Sequence, residues 1–120
     1  MAVVPSEHQE QCAVVQWLEW NNIDFFAVPN ANAMSSENRT KAIRIAVKQK
    51  KEGVKAGVSD LVILGYKRVL FVEMKRVSGS AIQPEQIEWR DTCLGLGHEA
   101  VICKGAAQAV SVIKEWLKGE

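Results

Sequence analysis

Apolar and polar positions recur along the chain with two different periods, and the period predicts the elements. From Glu7 to about Trp20 there is no Gly or Pro, and Val14, Trp17 and Leu18 repeat at helical spacing. Ser6 with Gln9 three residues on is a capping-box pattern, and Asn21-Asn22 is a plausible stop. Ile23 to Val28 reads as a short strand ended by Pro29, and the polar, small stretch 30–36 as a loop. A second helix is predicted from about Glu37 to Glu52, punctuated by Gly53. Two strands follow, Asp60 to Leu64 and Val69 to Lys75, joined across Gly65-Tyr66-Lys67-Arg68 as an antiparallel hairpin. Pro84 opens a helix running to about Leu96. Ala100 to Cys103 reads as a strand, and about Ala106 to Lys118 as a final helix with Val110, Ile113 and Leu117 on one side. The order is α-β-α-β-β-α-β-α. It predicts an α/β fold, a mixed four-stranded sheet flanked by helices, in one domain spanning residues 1–120.

Composition adds limits. The 120 residues are 48% hydrophobic and 24% charged, an ordinary globular balance for one core. No apolar run approaches the ~18 residues that cross a bilayer. The first ten residues lack the basic start and apolar stretch of a signal peptide. Cys12, Cys93 and Cys103 have no C-x-x-C spacing and suit neither a disulfide framework nor a zinc site; they are expected to pack as small apolar groups. These features point to a soluble cytoplasmic domain with no membrane partner and no nucleotide cofactor.

Net charge is only +1, but it is unevenly distributed. Residues 1–38 hold five acids and no Lys or Arg, whereas residues 39–55 hold seven bases and the single acid Glu52. Such a local block attracts a polyanion even on a nearly neutral chain. On the second helix Lys41, Arg44, Lys48 and Lys51 fall in one stripe, with Ala42, Ile45, Ala46 and Gln49 towards the other side. The expectation is an apolar face turned inward and a basic face outward. The bland alternative is a merely solvated helix face.

Candidate chemistry lies on the hairpin. Strand periodicity puts Val69, Phe71, Glu73 and Lys75 on one face, so an acid and a base follow two apolar residues there. A half-buried Glu and Lys are costly unless paired, hydrated or bound to a cation. Asp60, thirteen residues before Glu73, opens the neighbouring strand where it approaches the end of its partner. Two carboxylates meeting there suit an oxygen-seeking ion such as Mg²⁺ or Mn²⁺ rather than zinc. An ammonium group beside such an ion suggests phosphodiester hydrolysis. An acid-x-Lys triplet alone is common, and a surface ion pair at a strand end is its plain alternative.

Gly57-Val58-Ser59-Asp60-Leu61, then Phe71-Val72-Glu73-Met74-Lys75-Arg76, then Gln86-Ile87-Glu88-Trp89, resembles the VRR-NUC family of the PD-(D/E)xK nuclease superfamily. The resemblance spans about Glu7 to Trp116, and the order fits a stand-alone phage or bacterial member. Ser59 departs from the family's usual Pro. The resemblance implies a restriction-endonuclease-like core, with Asp60, Glu73 and the Met74 backbone carbonyl as metal ligands and Lys75 as the catalytic amine. Gln86 matches the family glutamine near the metal or the bound strand, while Trp89 is expected to be core packing. The N-terminal acid is Glu7, four before Gln11, or Glu10. By the same resemblance the chain acts as a homodimer on branched DNA, most nearly as a Holliday junction resolvase in the host cytoplasm. The residues expected to meet DNA are Asn30, Arg39, Lys41, Arg44, Lys48, Lys51, Lys55 and Arg76. A flap- or nick-directed nuclease and a non-catalytic DNA-binding subunit are the alternatives.

His8 and His98 read as surface histidines, Trp17, Trp20 and Trp116 as core or subunit contacts. Adjacent Phe25 and Phe26 must face opposite ways on a strand.

Overall fold

The capping box predicted at Ser6 forms: the Gln9 amide donates to Ser6 Oγ (3.1 Å) and the Ser6 amide to Gln9 Oε1 (2.9 Å), starting α1 (Glu7–Trp20). Asn21 closes it through its side chain, which donates to the Trp17 carbonyl at 2.8 Å. In this computed structural model, which describes residues 3–29 and 39–119, seven further elements follow. They are β1 (Phe25–Ala27), α2 (Arg39–Lys51), β2 (Leu61–Gly65), β3 (Arg68–Lys75), α3 (Pro84–Gly95), β4 (Glu99–Lys104) and α4 (Ala106–Lys118). The element order is the one the sequence pattern predicts.

The sheet runs β1-β2-β3-β4, antiparallel across the first two pairings and parallel between β3 and β4. A parallel pair needs a long crossover, and α3 supplies it. One face of the sheet packs under α1 and α4: Leu61, Ile63, Leu70, Val72, Met74 and Cys103 meet Val14, Leu18, Ala109 and Ile113 in the core. Burying each of the larger side chains contributes about 2 kcal/mol. At the far end Arg68 ties three elements together. It pairs with Glu99 Oε1 (3.1 Å), stacks on Trp116 (4.4 Å to the ring centroid) and donates to the Trp116 carbonyl.

Some details differ from expectation and others agree with it. The hairpin connection has two residues, not four, because Gly65 and Arg68 pair; Lys67 takes φ 60° to close it. The first strand is confined to Phe25–Ala27, with Phe25 against the core and Phe26 exposed. Cys93 and Cys103 are buried, but Cys12 is exposed, with His8 Nε2 3.5 Å from its sulfur. Trp17 and Trp116 pack on the core, whereas Trp20 is 74% exposed.

The largest correction concerns α2. None of its residues is buried: Ala42, Ile45 and Gln49 are only half-buried and Ala46 is exposed, so the expected inward face is not in the core. No other described element packs substantially on this helix. The radius of gyration, 15.5 Å, exceeds the roughly 14 Å usual for this length, consistent with an element held off the body. No described helix is long and apolar enough to cross a membrane.

Candidate active site

Hairpin register assembles the site. Leu61 pairs with Val72, so the next position outward sets Asp60 opposite Glu73, and directly opposed residues share a face. Asp60 is steadied by backbone: the Met74 amide donates to its Oδ2 at 2.8 Å. Along β3 the apolar Leu70, Val72 and Met74 enter the core, which forces Phe71, Glu73 and Lys75 onto the other face. Glu73 and Lys75 are buried there, 4% and 5% exposed. The β4 residue level with Glu73 is the apolar Ile102.

Electrostatics follow from that placement. The Glu73 carboxyl is pushed up to about 9, first by burial, then by a hydrogen bond with the Asp60 carboxyl and by its charge. Glu7 adds to the upward push, and Lys75 opposes it. Lys75 Nζ lies 3.7 Å from Glu7 Oε1, in an ion pair buried at the lysine end and half-exposed at the glutamate. Asp60, Glu73, Lys75 and Glu7 are therefore brought together at one end of β3.

Glu10, the other candidate acid, takes a different place. It is buried one helical turn after Glu7, its Oε2 3.0 Å from where a Cβ on Gly105 would stand. Gly105, at φ 87°, donates its amide to the Lys75 carbonyl at 2.8 Å, so Glu10 lies against the junction of β4 and α4. Gln86 is in the first turn of α3, where its Oε1 accepts from the Gln83 amide at 2.9 Å.

The carboxyl pair fits a hard divalent cation. Its donors are oxygens, and burial first, then the neighbouring Asp60 carboxyl, push the Glu73 carboxyl up against the opposing pull of Lys75, so a further cation would favour its charged form. Among the described residues no three or more His, Cys, Asp or Glu side chains are grouped so as to hold a metal ion. An ion held by Asp60, Glu73 and the Met74 carbonyl would leave positions for water and phosphate oxygens, which suits Mg²⁺ or Mn²⁺.

The expected DNA-facing residues form two groups. Arg39, Lys41, Arg44, Lys48 and Lys51 are all exposed on α2, and Lys55 is exposed just beyond it. Arg76, half-buried, directly follows Lys75, and its buried Nε has no hydrogen-bond partner. Asn30 lies outside the described residues.

Sequence reasoning missed the support behind Asp60. Trp89, expected as plain packing, donates its indole N–H to Ser59 Oγ at 3.1 Å, and Ser59 is 3% exposed. The same ring meets Phe71 edge-on, with centroids 5.6 Å apart. Gly57, at φ 82°, presses on the α3 backbone: a Cβ there would run into the Glu85 carbonyl. The Ser in place of Pro before Asp60 was the one signal in the chain for this contact.

Comparison with known proteins agrees with this fold. The VRR-NUC domain model matches residues 3–107. The solved structure of a VRR_NUC domain protein aligns with a TM-score of 0.78 and 26% sequence identity, over 98% of this chain and 92% of that one. No curated protein matches.

Proposed function

Because the chain belongs to the VRR-NUC family and so has a nuclease fold, we propose that it is a Mg²⁺- or Mn²⁺-dependent endodeoxyribonuclease of branched DNA, a Holliday junction resolvase. The observation that carries the reading is the carboxyl pair of half-buried Asp60 and buried Glu73, with buried Lys75 beside it.

Asp60, Glu73 and the Met74 carbonyl would hold the ion. When bound, it supplies a more acidic water and polarisation of the phosphoryl oxygen. Lys75 sets a fixed positive charge beside the phosphorus, where negative charge grows as the bond to the leaving oxygen breaks. Glu7 orients that ammonium from 3.7 Å. Burial of Glu73 and Lys75 keeps both groups in a low-dielectric setting, where each acts more strongly than in water. The basic stripe of α2 holds the phosphate backbone, and Arg76 adds a positive charge directly after Lys75.

A homodimer supplies the two symmetric cuts that a four-way junction requires. Its support is the exposed apolar pair Ile43 and Val47 on α2, 55% and 51% accessible beside the basic stripe. Ile43→Ser with Val47→Ser is expected to weaken self-association in sedimentation runs while single-site cleavage persists.

The decisive experiment incubates the protein with labelled four-way junctions, flaps, nicked and linear duplexes in Mg²⁺ or Mn²⁺. Paired symmetric cuts in junctions support the proposal. Preferential cutting of flaps or nicks replaces it with the second nuclease specificity. Binding without cutting in either ion, or full cutting in excess EDTA, overturns it.

A further inference from the structure

Asp60 lies at a strand entrance, where backbone is ordinarily least constrained, yet three contacts converge on the residues around it. Ser59 is nine-tenths buried or more and accepts the Trp89 indole N–H at 3.1 Å. Gly57 is seated against Glu85 of the same helix. The Trp89 ring also meets Phe71 edge-on, and Phe71 stands two residues before Glu73 on the same face of β3. One side chain of α3 thus touches β3 and the segment leading into β2, close to each acid in sequence but contacting neither through these bonds.

We propose that Trp89 is the positioning residue of the carboxyl pair, fixing Asp60 through the Ser59 hydroxyl and Glu73 through Phe71. The indole N–H reaches a buried acceptor that a proline at position 59 would not provide. The hydrogen bond substitutes a side-chain tether for the backbone restriction that proline imposes. With Ser59 held, Asp60 meets the Met74 amide and stays in hydrogen-bond reach of Glu73. Groups that orient ligands in this way typically change metal affinity by 10–100-fold when removed. The purpose of the device rests on the nuclease reading; its geometry does not.

The test compares wild type with Trp89→Phe, which retains an aromatic edge and loses the donor, and with Ser59→Ala, which loses the acceptor. Amide hydrogen exchange of Met74 reports Asp60 directly, because the Asp60 carboxyl is that amide's acceptor. In both variants Met74 exchange is expected to accelerate about tenfold, the order of one lost buried hydrogen bond. Leu70 and Val72, deep in the same strand, are expected to stay at wild-type rates. The double variant should be no worse than the more affected single variant. In parallel, the Mg²⁺ concentration for half-maximal cleavage should rise about tenfold, with the affinity for DNA unchanged within twofold.

Unchanged Met74 exchange in both variants overturns the proposal. So does acceleration at Leu70 and Val72 equal to that at Met74, which would make Trp89 a core residue only. Should Trp89→Phe fail to fold, Ser59→Ala decides by the same readings. A wild-type chain that cuts nothing, with Met74 responding as expected, removes the nuclease reading and leaves the positioning role standing.

Discussion

The helices α1 and α2 are of nearly equal length, 14 and 13 residues, and differ in everything that burial decides. α1 has a complete capping box, sinks Val14 and Leu18 into the core at 0% exposure, and carries Glu7 to Lys75. α2 has no acid in its first turn, no buried residue, and three lysines in its last turn. A helix of this length is marginal by itself in water, so α1 draws its stability from the core it covers. Lys48, Lys50 and Lys51 at the negative end of the α2 dipole help it modestly. On the proposed function, the contrast separates the two tasks of a nuclease. Groups that perform chemistry require fixed positions, whereas a surface for a charged backbone requires only charge at about the right place. Perturbing the packed end should therefore change rate or folding, and perturbing α2 should change affinity.

The largest effect is expected from the acids and the amine. Asp60→Ala, Glu73→Ala and Lys75→Ala should each lower the cleavage rate at saturating Mg²⁺ by at least about 100-fold, the range for losing one electrostatic or acid–base group. Junction affinity, measured by gel shift in Ca²⁺, should stay within about threefold of wild type. Equal losses in rate and affinity would erase the division between the two regions.

Two glycines sharpen the comparison next. Gly57 (φ 82°) and Gly53 (φ 94°) both adopt backbone that an L-residue avoids, at a cost of about 1–2 kcal/mol for alanine. At Gly53 the space is open, and that cost is all that is expected. At Gly57 the added Cβ also meets Glu85, 2.8 Å from its Cβ and closer still to its carbonyl. Gly57→Ala should therefore lose at least about 2 kcal/mol more than Gly53→Ala in urea unfolding. Equal losses would mean that residues 57–60 are as loosely held as the end of α2.

The packed end was the legible one. Period, caps and punctuation carry the element order because they are local, and a tight hairpin turns local order into register. That is why Asp60 opposite Glu73 was readable from thirteen residues of spacing, even with the turn two residues shorter than expected. α2 was misread because a helical wheel shows which residues share a side but not whether anything covers it. The Trp89–Ser59 bond joins residues thirty apart through a crossover helix, beyond the reach of any period. The choice between Glu7 and Glu10 also depended on tertiary contacts. Only the packing shows that one meets Lys75 and the other lies against Gly105.

Glu73 gives the packed end a pH signature. Its carboxyl titrates at about 9 when folded, against an ordinary value of 4.5. Between these values the folded chain holds a proton that the unfolded chain has released. With respect to this group, stability is complete below about pH 4.5 and is lost as pH rises towards 9. The metal-free melting temperature should therefore fall across that window more steeply in wild type than in Glu73→Gln. Mg²⁺ added at pH 8 should raise it in wild type and leave the variant unmoved. A wild-type pH profile that matches the variant's would mean that the acid pair is better hydrated than its burial implies.

The smallest expected effect belongs to α2 and bears on its independence from the rest. Lys48→Gln with Lys51→Gln removes two exposed charges from the basic stripe. If each meets a phosphate, the slope of log affinity against log salt should become shallower by about two, and affinity at low salt should fall about tenfold. Exposed charges contribute little to folding, so the melting temperature should stay within about 2 °C. The cleavage rate at saturating DNA should not change, because neither lysine touches the carboxyl pair. Measuring the slope matters more than measuring the affinity. A helix that bound DNA through its apolar residues would lose affinity on such substitution without changing its salt dependence. A slope unchanged in the double variant would thus transfer the DNA surface to residues elsewhere, and leave α2 with Ile43 and Val47 as a contact for a second copy alone.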